Sequence, residues 1–338
     1  MRIRINGLEY RHFNNLEIGL SLDKIASSFS FVALFNPDNS QHRSIFKPLS
    51  YPKVEIFSNE NNLILTGIIV NNTFNSSSKI ELSTISGYSL AGVLEHVKIP
   101  LRAYPLESLN RSIADITKRL LSFFDLNLKI EPSLSNVTNE ILPRSVASPT
   151  ESIKSYISKL ASQKNIVLSH NERGDLTFIR PDVNSKPTYF FNKENVLSAT
   201  LSTQGEGMHS EVSVIRQPSI SLPNASTQDS VSNPMVTSFR PSVSVLTSGD
   251  SSEVTRAANN KLAKELMNIK LVLNFERTFP IFQGQIVEVQ NDKLFLFSRS
   301  RFLVKEVKIS SNQNSDKMSV SLVLPESFTG ETPKNVFE

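Results

Sequence analysis

The run Phe302-Leu303-Val304-Lys305-Glu306-Val307-Lys308-Ile309 is followed, past a polar stretch, by Ser319-Val320-Ser321-Leu322-Val323-Leu324 and then Pro325. Both runs are of strand length and rich in aliphatic and β-branched residues, and the closing proline has no N–H to give a ladder. They predict neighbouring strands. Upstream, Leu271-Val272-Leu273 and Gln285-Ile286-Val287-Glu288-Val289 have the same character. Val254, Ala258, Leu262 and Leu266 recur at every fourth residue, which predicts a helix over 251–268. The end of the chain therefore reads as one helix feeding a set of strands.

Further back, Pro187–Phe191, Asn195–Leu201 and Ser210–Ile215 also read as strands. From Arg216 to Asp250 the composition turns to Ser, Pro, Asn, Thr and Val, and a long loop is expected over 216–250. The first third is again strand-like. Arg2-Ile3-Arg4-Ile5 alternates up to an Asn6-Gly7 turn. Asn15–Leu20, Phe29–Leu34, Lys53–Phe57, Leu63–Val70 and Lys79–Thr84 follow, separated by turn-rich pieces such as Asn36–Ser40 and Asn59–Asn62. Many short strands predict a small antiparallel barrel, which hides its edges by closing.

The middle changes period. Ile113, Ile116, Leu120, Leu121 and Phe124 fall on one helical face, with Ser108 or Asn110 as the expected cap. Ser148-Pro149-Thr150-Glu151 has the capping-box pattern and predicts the start of a second helix striped by Ile153, Tyr156, Ile157 and Leu160. Ile166–His170, a turn at Glu172–Asp175 and Leu176–Ile179 predict a hairpin. The expected class is mixed α+β, predominantly β: two small antiparallel β-barrel domains flanking a small α+β module. The boundaries are 1–97, 98–182 and 183–338.

Composition bounds the chemistry. With 39% hydrophobic and 20% charged residues the chain of 338 is composed like a folded protein, not a disordered one. Cysteine is absent, which excludes disulfides, thiol nucleophiles and thiolate metal sites and fits cytosolic folding. The longest apolar run, Leu63–Val70, is strand-sized, and the alternating N-terminus does not resemble a secretory signal. The net charge of +4 is spread without a Lys/Arg block, so it reads as a solvated surface and not a nucleic-acid stripe.

No catalytic, cofactor-binding or metal-binding residue is assigned. His12, His42, His96, His170 and His209 have no partner at metal-ligand spacing. Glu206 and His209 are three apart, but in a polar, glycine-flanked stretch instead of a helix. His170, beside a turn, reads as a surface residue. Gly205-Glu206-Gly207 lacks the third glycine and the helix of a dinucleotide fingerprint. Asp115, Asp125, Glu151 and Asp175 are the carboxylates that a glycosidase pair would draw on, and each reads first as helix or turn chemistry. Arg299 and Arg301 with Phe295, Phe297 and Phe302 can be read as a patch for single-stranded nucleic acid, or as a hairpin with phenylalanines inside and arginines outside; the second reading is preferred.

The order of segments resembles the phage baseplate hub family, including Mu-like tail hub proteins of the late control protein D type. Five stretches carry the resemblance. They are Phe29–Ala33 with Lys53–Phe57 and Leu65-Thr66-Gly67; Ser83–Leu90; Ser145–Gln163 before Ile166–Ile179; Ser210–Val214; and Val254–Met267 with Pro280–Val287, Phe302–Val307 and Ser321–Pro325. The resemblance implies a non-enzymatic virion structural protein of the tail baseplate, assembled in the host cytoplasm and not inserted in a membrane. It implies a homotrimer whose paired barrels form a pseudo-sixfold ring between a sixfold tail tube and a threefold central spike. The implied partners are the tube or tube-initiator protein, the spike and the baseplate wedge proteins, with the genome crossing the lumen at ejection without specific binding. The alternatives are a tail-tip hub of a noncontractile phage, the hub of a contractile injection system, a peptidoglycan hydrolase, or an oligosaccharide- or nucleic-acid-binding β-barrel protein.

Overall fold

The computed structural model describes every residue except 77–81, 217–227, 247–253 and 313–314. The expected start of the Lys79–Thr84 strand, much of the 216–250 segment and the first residues of the 251–268 helix lie outside the described residues. The chain is predominantly β, with several sheets. It divides into two units. The first comprises Met1–Arg180, Glu276–Phe279 and Val307–Met318; the second comprises Pro181–Phe275, Pro280–Glu306 and Ser319–Glu338.

In the first unit the strands Phe13–Ser21, Ser28–Leu34, Leu82–Ser89, Leu63–Thr73, Lys53–Phe57, Arg2–Ile5 and Leu8–Tyr10 lie side by side in that order. All of these ladders are antiparallel. The alternation read from the sequence is the alternation of burial. Ile3 and Ile5, Phe29, Phe31 and Ala33, and Val54 and Ile56 point inward, and their polar neighbours do not. Burying each of the large side chains contributes about 1.5–3 kcal/mol. Gly67 and Gly87 stand beside the Phe29 ring, and a side chain on either would collide with a carbonyl of the neighbouring strand, that of Tyr88 or Ile68 respectively.

The rest of the first unit is a mixed module. Glu107–Ser112 pairs with Ile141–Val146, and a second sheet holds Val167–His170, Leu176–Ile179 and Leu128–Ile130. The last two of these are parallel, which local turn signals cannot announce. Helices Ile113–Leu121 and Ile153–Gln163 supply Ile113, Ile116, Leu120, Ile153, Tyr156 and Ile157 to one core with Phe178. Both helix starts differ from expectation. Ser108 and Asn110 belong to a strand, and Ser112 caps the first helix by accepting the Asp115 N–H at 3.1 Å. Ser152, not Ser148, caps the second, accepting from the Ser155 N–H at 3.2 Å. The Ser148/Glu151 pattern is real, since Glu151 accepts the Ser148 N–H at 2.5 Å, but it closes a turn just upstream of the helix.

In the second unit Ser198–Thr203, Ile269–Phe275, Asp316–Val323 and Leu296–Ser311 are successive neighbours. Ile286–Asn291 pairs antiparallel with Leu296–Ser311 and parallel with Tyr189–Phe191. The two long C-terminal strands run through both units, changing membership at Glu306/Val307 and at Met318/Ser319. The Ser210–Ile215 run was expected within the same barrel, and the segment after it as loop. Instead Glu211–Ile215 is the centre of a separate sheet, with Gln228–Ser232 antiparallel on one side and Pro241–Val245 parallel on the other. Serine and valine at alternate positions are what make these short strands; serine, polar and turn-prone, masks the period. Helix Val254–Leu266 covers one face of this sheet, with Val254 and Ala258 against Val214.

Candidate functional site

The carboxylates singled out above each stand in their own local hydrogen bonds or turn, and of the histidines His12 and His42 are neighbours, with ring centroids 6.4 Å apart. Asp115 stands in the first turn of its helix, where its carboxylate accepts from the hydroxyl of the cap residue Ser112 at 2.8 Å. Asp125 has a left-handed backbone, φ 52°, and ends the helical run. Glu151 is held by the Ser148 N–H and by Lys159 Nζ at 2.6 Å, and these bonds draw its carboxyl below the ordinary value against the opposing effect of burial. Asp175 accepts from the side-chain amides of Asn127 at 3.1 Å and Asn171 at 2.9 Å, which pins the hairpin turn. Each acid thus serves the fold where it stands. Among the described residues no three His, Asp or Glu side chains gather in a way that could hold a metal ion.

Two histidines depart from expectation. His170 is buried, not on the surface. Its Nδ1 lies 3.0 Å from the Asn171 carbonyl oxygen, and burial pushes its pKa below the ordinary histidine value. His209 does not meet Glu206, which sits in the short 3-10 turn Gly205–Gly207. It meets Glu265 from helix Val254–Leu266. One carboxylate oxygen is 2.9 Å from Nδ1 and the other accepts the His209 backbone N–H at 3.1 Å. Sequence reading missed this pair because its members are far apart in the chain and belong to different elements. Elsewhere, Tyr10, His42 and Phe46 pack edge to face around the start of the first sheet. Burial pushes the Tyr10 hydroxyl up to about 12, and His42 downward, the nearby His12 adding to the effect. The Asn36 N–H donates to His42 Nδ1 at 3.2 Å, which requires that nitrogen to be unprotonated.

The arginine-phenylalanine hairpin is turned partly inside out from expectation. Phe302 is buried, but Phe295 and Phe297 are 67% and 53% exposed and pack edge to face at 5.9 Å. Arg299 lies 4.5 Å over the Phe190 ring, and Glu288 is 3.9 Å from Arg299 and 4.0 Å from Arg301. The arginines are thus occupied by a ring and a carboxylate of their own unit, which weakens the case for a phosphate-tracking groove. Two surface clefts in the described residues, one bordered by Arg2, Glu9 and Arg11 and the other by Lys193, Asp292 and Arg299, have charged mixed walls and no convergent reactive group. Exposed apolar side chains are the commoner feature: Leu49, Tyr51, Leu101, Leu109, Ile141, Phe239, Val243 and Val245. Such side chains are the material of protein–protein contact.

The chain has the fold of solved phage tail proteins. The crystal structure of the 43 kDa tail protein of prophage MuSo2 from Shewanella oneidensis superposes with a TM-score of 0.77 at 15% identity, covering 96% of this chain and 98% of that one. The tail protein from Neisseria meningitidis MC58 gives 0.74 at 18% identity, with coverage of 96% and 98%. The E. coli c3393 protein, a type VI secretion component described as similar to the T4 tail proteins gp27 and gp5, gives 0.60 at 11% identity, with coverage of 99% and 80%. At these identities the likeness is one of fold. No protein-family model and no curated protein sequence matches the chain.

Proposed function

We propose that the chain is a non-catalytic hub subunit of a phage tail baseplate. Three copies would form a ring that seats a sixfold tail tube on one side and a threefold spike on the other. The observation that carries the reading is the end-to-end likeness to a prophage tail protein, 96% of this chain against 98% of that one. A likeness confined to one sheet would speak only for a shared module. The division 1–97, 98–182 and 183–338 belongs to the proposal: two sheet-rich parts, each completing a barrel, and a mixed module that braces neighbouring copies. Two such parts per chain give six lobes from three copies, and closed rings of this kind need repeated interfaces rather than a pocket.

The remaining partners follow from that geometry. The tube or its initiator meets the sixfold face, the spike the threefold face, and wedge proteins the outside. The genome would cross the lumen, whose walls must not hold phosphates; the Lys and Arg excess then lies on outer or intersubunit faces. The likeness to the type VI component supports the hub of a contractile injection system as the second reading. Sedimentation mass together with particle images tests the proposal. A threefold ring with six lobes supports it, and a monomer at every concentration, or a ring of another order, refutes it. Retention on single-stranded DNA that weakens steeply with salt would favour the nucleic-acid-binding alternative instead.

A further inference from the structure

Between strands Ser28–Leu34 and Lys53–Phe57 the chain leaves the first sheet and returns to it, forming only the short helix Ser40–Ile45 on the way. Of residues 36–51 only His42, Ile45 and Phe46 are buried. They are three and four residues apart, on one helical face. The excursion is therefore closed by three side chains, and one of them is a histidine, whose charge changes between pH 5 and 8.

The three are held differently. Phe46 packs on Tyr10 at 5.1 Å and on Phe35 at 6.4 Å, and its carbonyl accepts from Asn72 Nδ2 at 3.0 Å. Ile45 beside it is apolar. Neither contact responds to pH. His42 packs edge to face on Tyr10 at 5.6 Å, and its Nδ1 accepts the Asn36 N–H at 3.2 Å. A main-chain N–H can only donate, so this bond exists only while Nδ1 is bare. A proton on Nδ1 sets two donors against each other and puts a charge among aromatic rings. The Tyr10 hydroxyl is turned to the carbonyl oxygens of His12 and Leu34, at 2.8 and 3.0 Å.

The charges around His42 do not favour that proton. Glu9, Arg11 and His12 stand on and just after strand Leu8–Tyr10, Asp38 ahead of the helix, Arg43 on it and Lys47 after it. Glu9 is engaged by Arg11 at 3.0 Å. Among the described residues no carboxylate pairs with His42, and the group whose charge acts on it is His12. Burial and then His12 hold the His42 pKa below its ordinary value. Closure is therefore fully supported above pH about 6.5 and loses that support as pH falls toward the folded pKa. The far end of the excursion adds a bias toward opening. Leu49 and Tyr51 have left-handed backbones, φ 61° and 50°, which bulky residues avoid, and both side chains are exposed. We propose that residues 35–51 form an acid-released strap, closed on the first sheet while His42 is neutral and freed when His42 takes a proton. Release uncovers Tyr10, Ile45 and Phe46, so a closed sheet end becomes an apolar contact surface. The strap does not depend on the hub reading.

Hydrogen exchange on the whole chain, each amide's rate divided by its intrinsic rate at the same pH, tests this. The reporters are the amides of Asn36, Arg43 and Phe46, which bond His42 Nδ1, the Asn39 carbonyl and the His42 carbonyl. Between about pH 7.5 and about pH 5 their protection is expected to fall about tenfold or more, while that of Val54–Phe57 stays within about twofold. His42→Asn keeps a side-chain oxygen that can accept the Asn36 N–H and does not titrate. Its protection is expected to be lower throughout and flat with pH. The ring nitrogen shifts of wild-type His42 give a reading that needs no variant, and Nδ1 is expected to be bare at about pH 7.5. Protection that does not fall, or that falls equally in Val54–Phe57, overturns the strap. So does a His42→Asn chain that keeps the wild-type decline, or a wild-type Nδ1 that carries its proton at about pH 7.5.

Discussion

Gly87→Ala puts the packing of the first sheet to a direct test. Gly87 lies opposite Phe29 on one neighbouring strand and Ile69 on the other. A β-carbon there would stand 2.7 Å from Phe29 Cζ and 2.9 Å from the Ile68 carbonyl carbon, overlapping the Ile68 oxygen. The backbone contact decides the magnitude. A ring alone can tilt, but a carbonyl in a ladder moves only with its strand. Overpacking of a tight core costs about 1–3 kcal/mol, and two main-chain bonds broken to relieve it add about 2 kcal/mol. The sum is about 3–5 kcal/mol. For a unit of this size each kcal/mol lowers Tm by about 2–4 °C, so the transition of the first unit falls by roughly 6–20 °C.

The assay is a thermal melt read by near-ultraviolet circular dichroism, alongside two comparisons. Gly67→Ala meets the Tyr88 carbonyl and Phe29 Cε1 at 3.1 Å and behaves like Gly87→Ala. Gly205→Ala meets nothing within 4 Å and leaves Tm unchanged within a degree or so of error, on the order of 0.5 kcal/mol or less. Gly87→Ala melting within about 2 °C of wild type would show that the strand pair gives way freely, and the account of why glycines stand there would be wrong.

Other outcomes follow from single groups. Burial holds the His170 pKa below its unfolded value, so the unfolded state binds the proton first as pH falls. Its stabilisation is full above pH about 6.5 and is lost as pH drops from there toward the folded pKa; urea midpoints measured from pH 8 to 5 should decline, and His170→Gln should flatten the decline. Ser112→Ala removes the cap of helix Ile113–Leu121 and costs about 1 kcal/mol by denaturant titration, whereas Ser148→Ala leaves the Ser152 cap intact and costs less. Glu265→Ala strips His209 of both its side-chain and its backbone acceptor and costs about 1–3 kcal/mol in the second unit, with faster amide exchange at His209 as the local readout.

What could be read in advance depended on how locally each feature is determined. Phe29, Phe31 and Ala33, or Val54 and Ile56, alternate because one face of each strand is buried, and that pattern needs no knowledge of the neighbour. The stripes on helices Ile113–Leu121 and Ile153–Gln163 are legible for the same reason. Caps were harder. Ser108, Asn110, Ser112, Ser148 and Ser152 are all competent cap residues, and only the place where the backbone turns helical selects among them. The parallel pairs Leu176–Ile179 with Leu128–Ile130 and Glu211–Ile215 with Pro241–Val245 leave no turn signal at all. The exposure of Phe295 and Phe297 was missed because a phenylalanine in a hairpin is read by default as core, and the left-handed backbone at Phe295, φ 58°, shifts the side chains that follow.

The same contrast separates the fold of this chain from its function. The polar groups that sequence reading put forward for chemistry close helices and turns: Asp115 on Ser112, Glu151 on Ser148, and Asp175 between Asn127 and Asn171. A carboxylate saturated by its own neighbours is a poor acid or base for a substrate, because any proton it takes breaks bonds that hold the backbone. Apolar side chains present the reverse case, since Val243, Val245, Phe295 and Phe297 remain exposed where folding alone would favour burial. Single exposed residues of this kind are ordinary, and Val243 and Val245 stand side by side on the same face of one short strand. If Val243 and Val245 prove replaceable by lysine without effect on assembly, the interfaces must be sought instead at Leu49, Tyr51 or the Phe295–Phe297 hairpin.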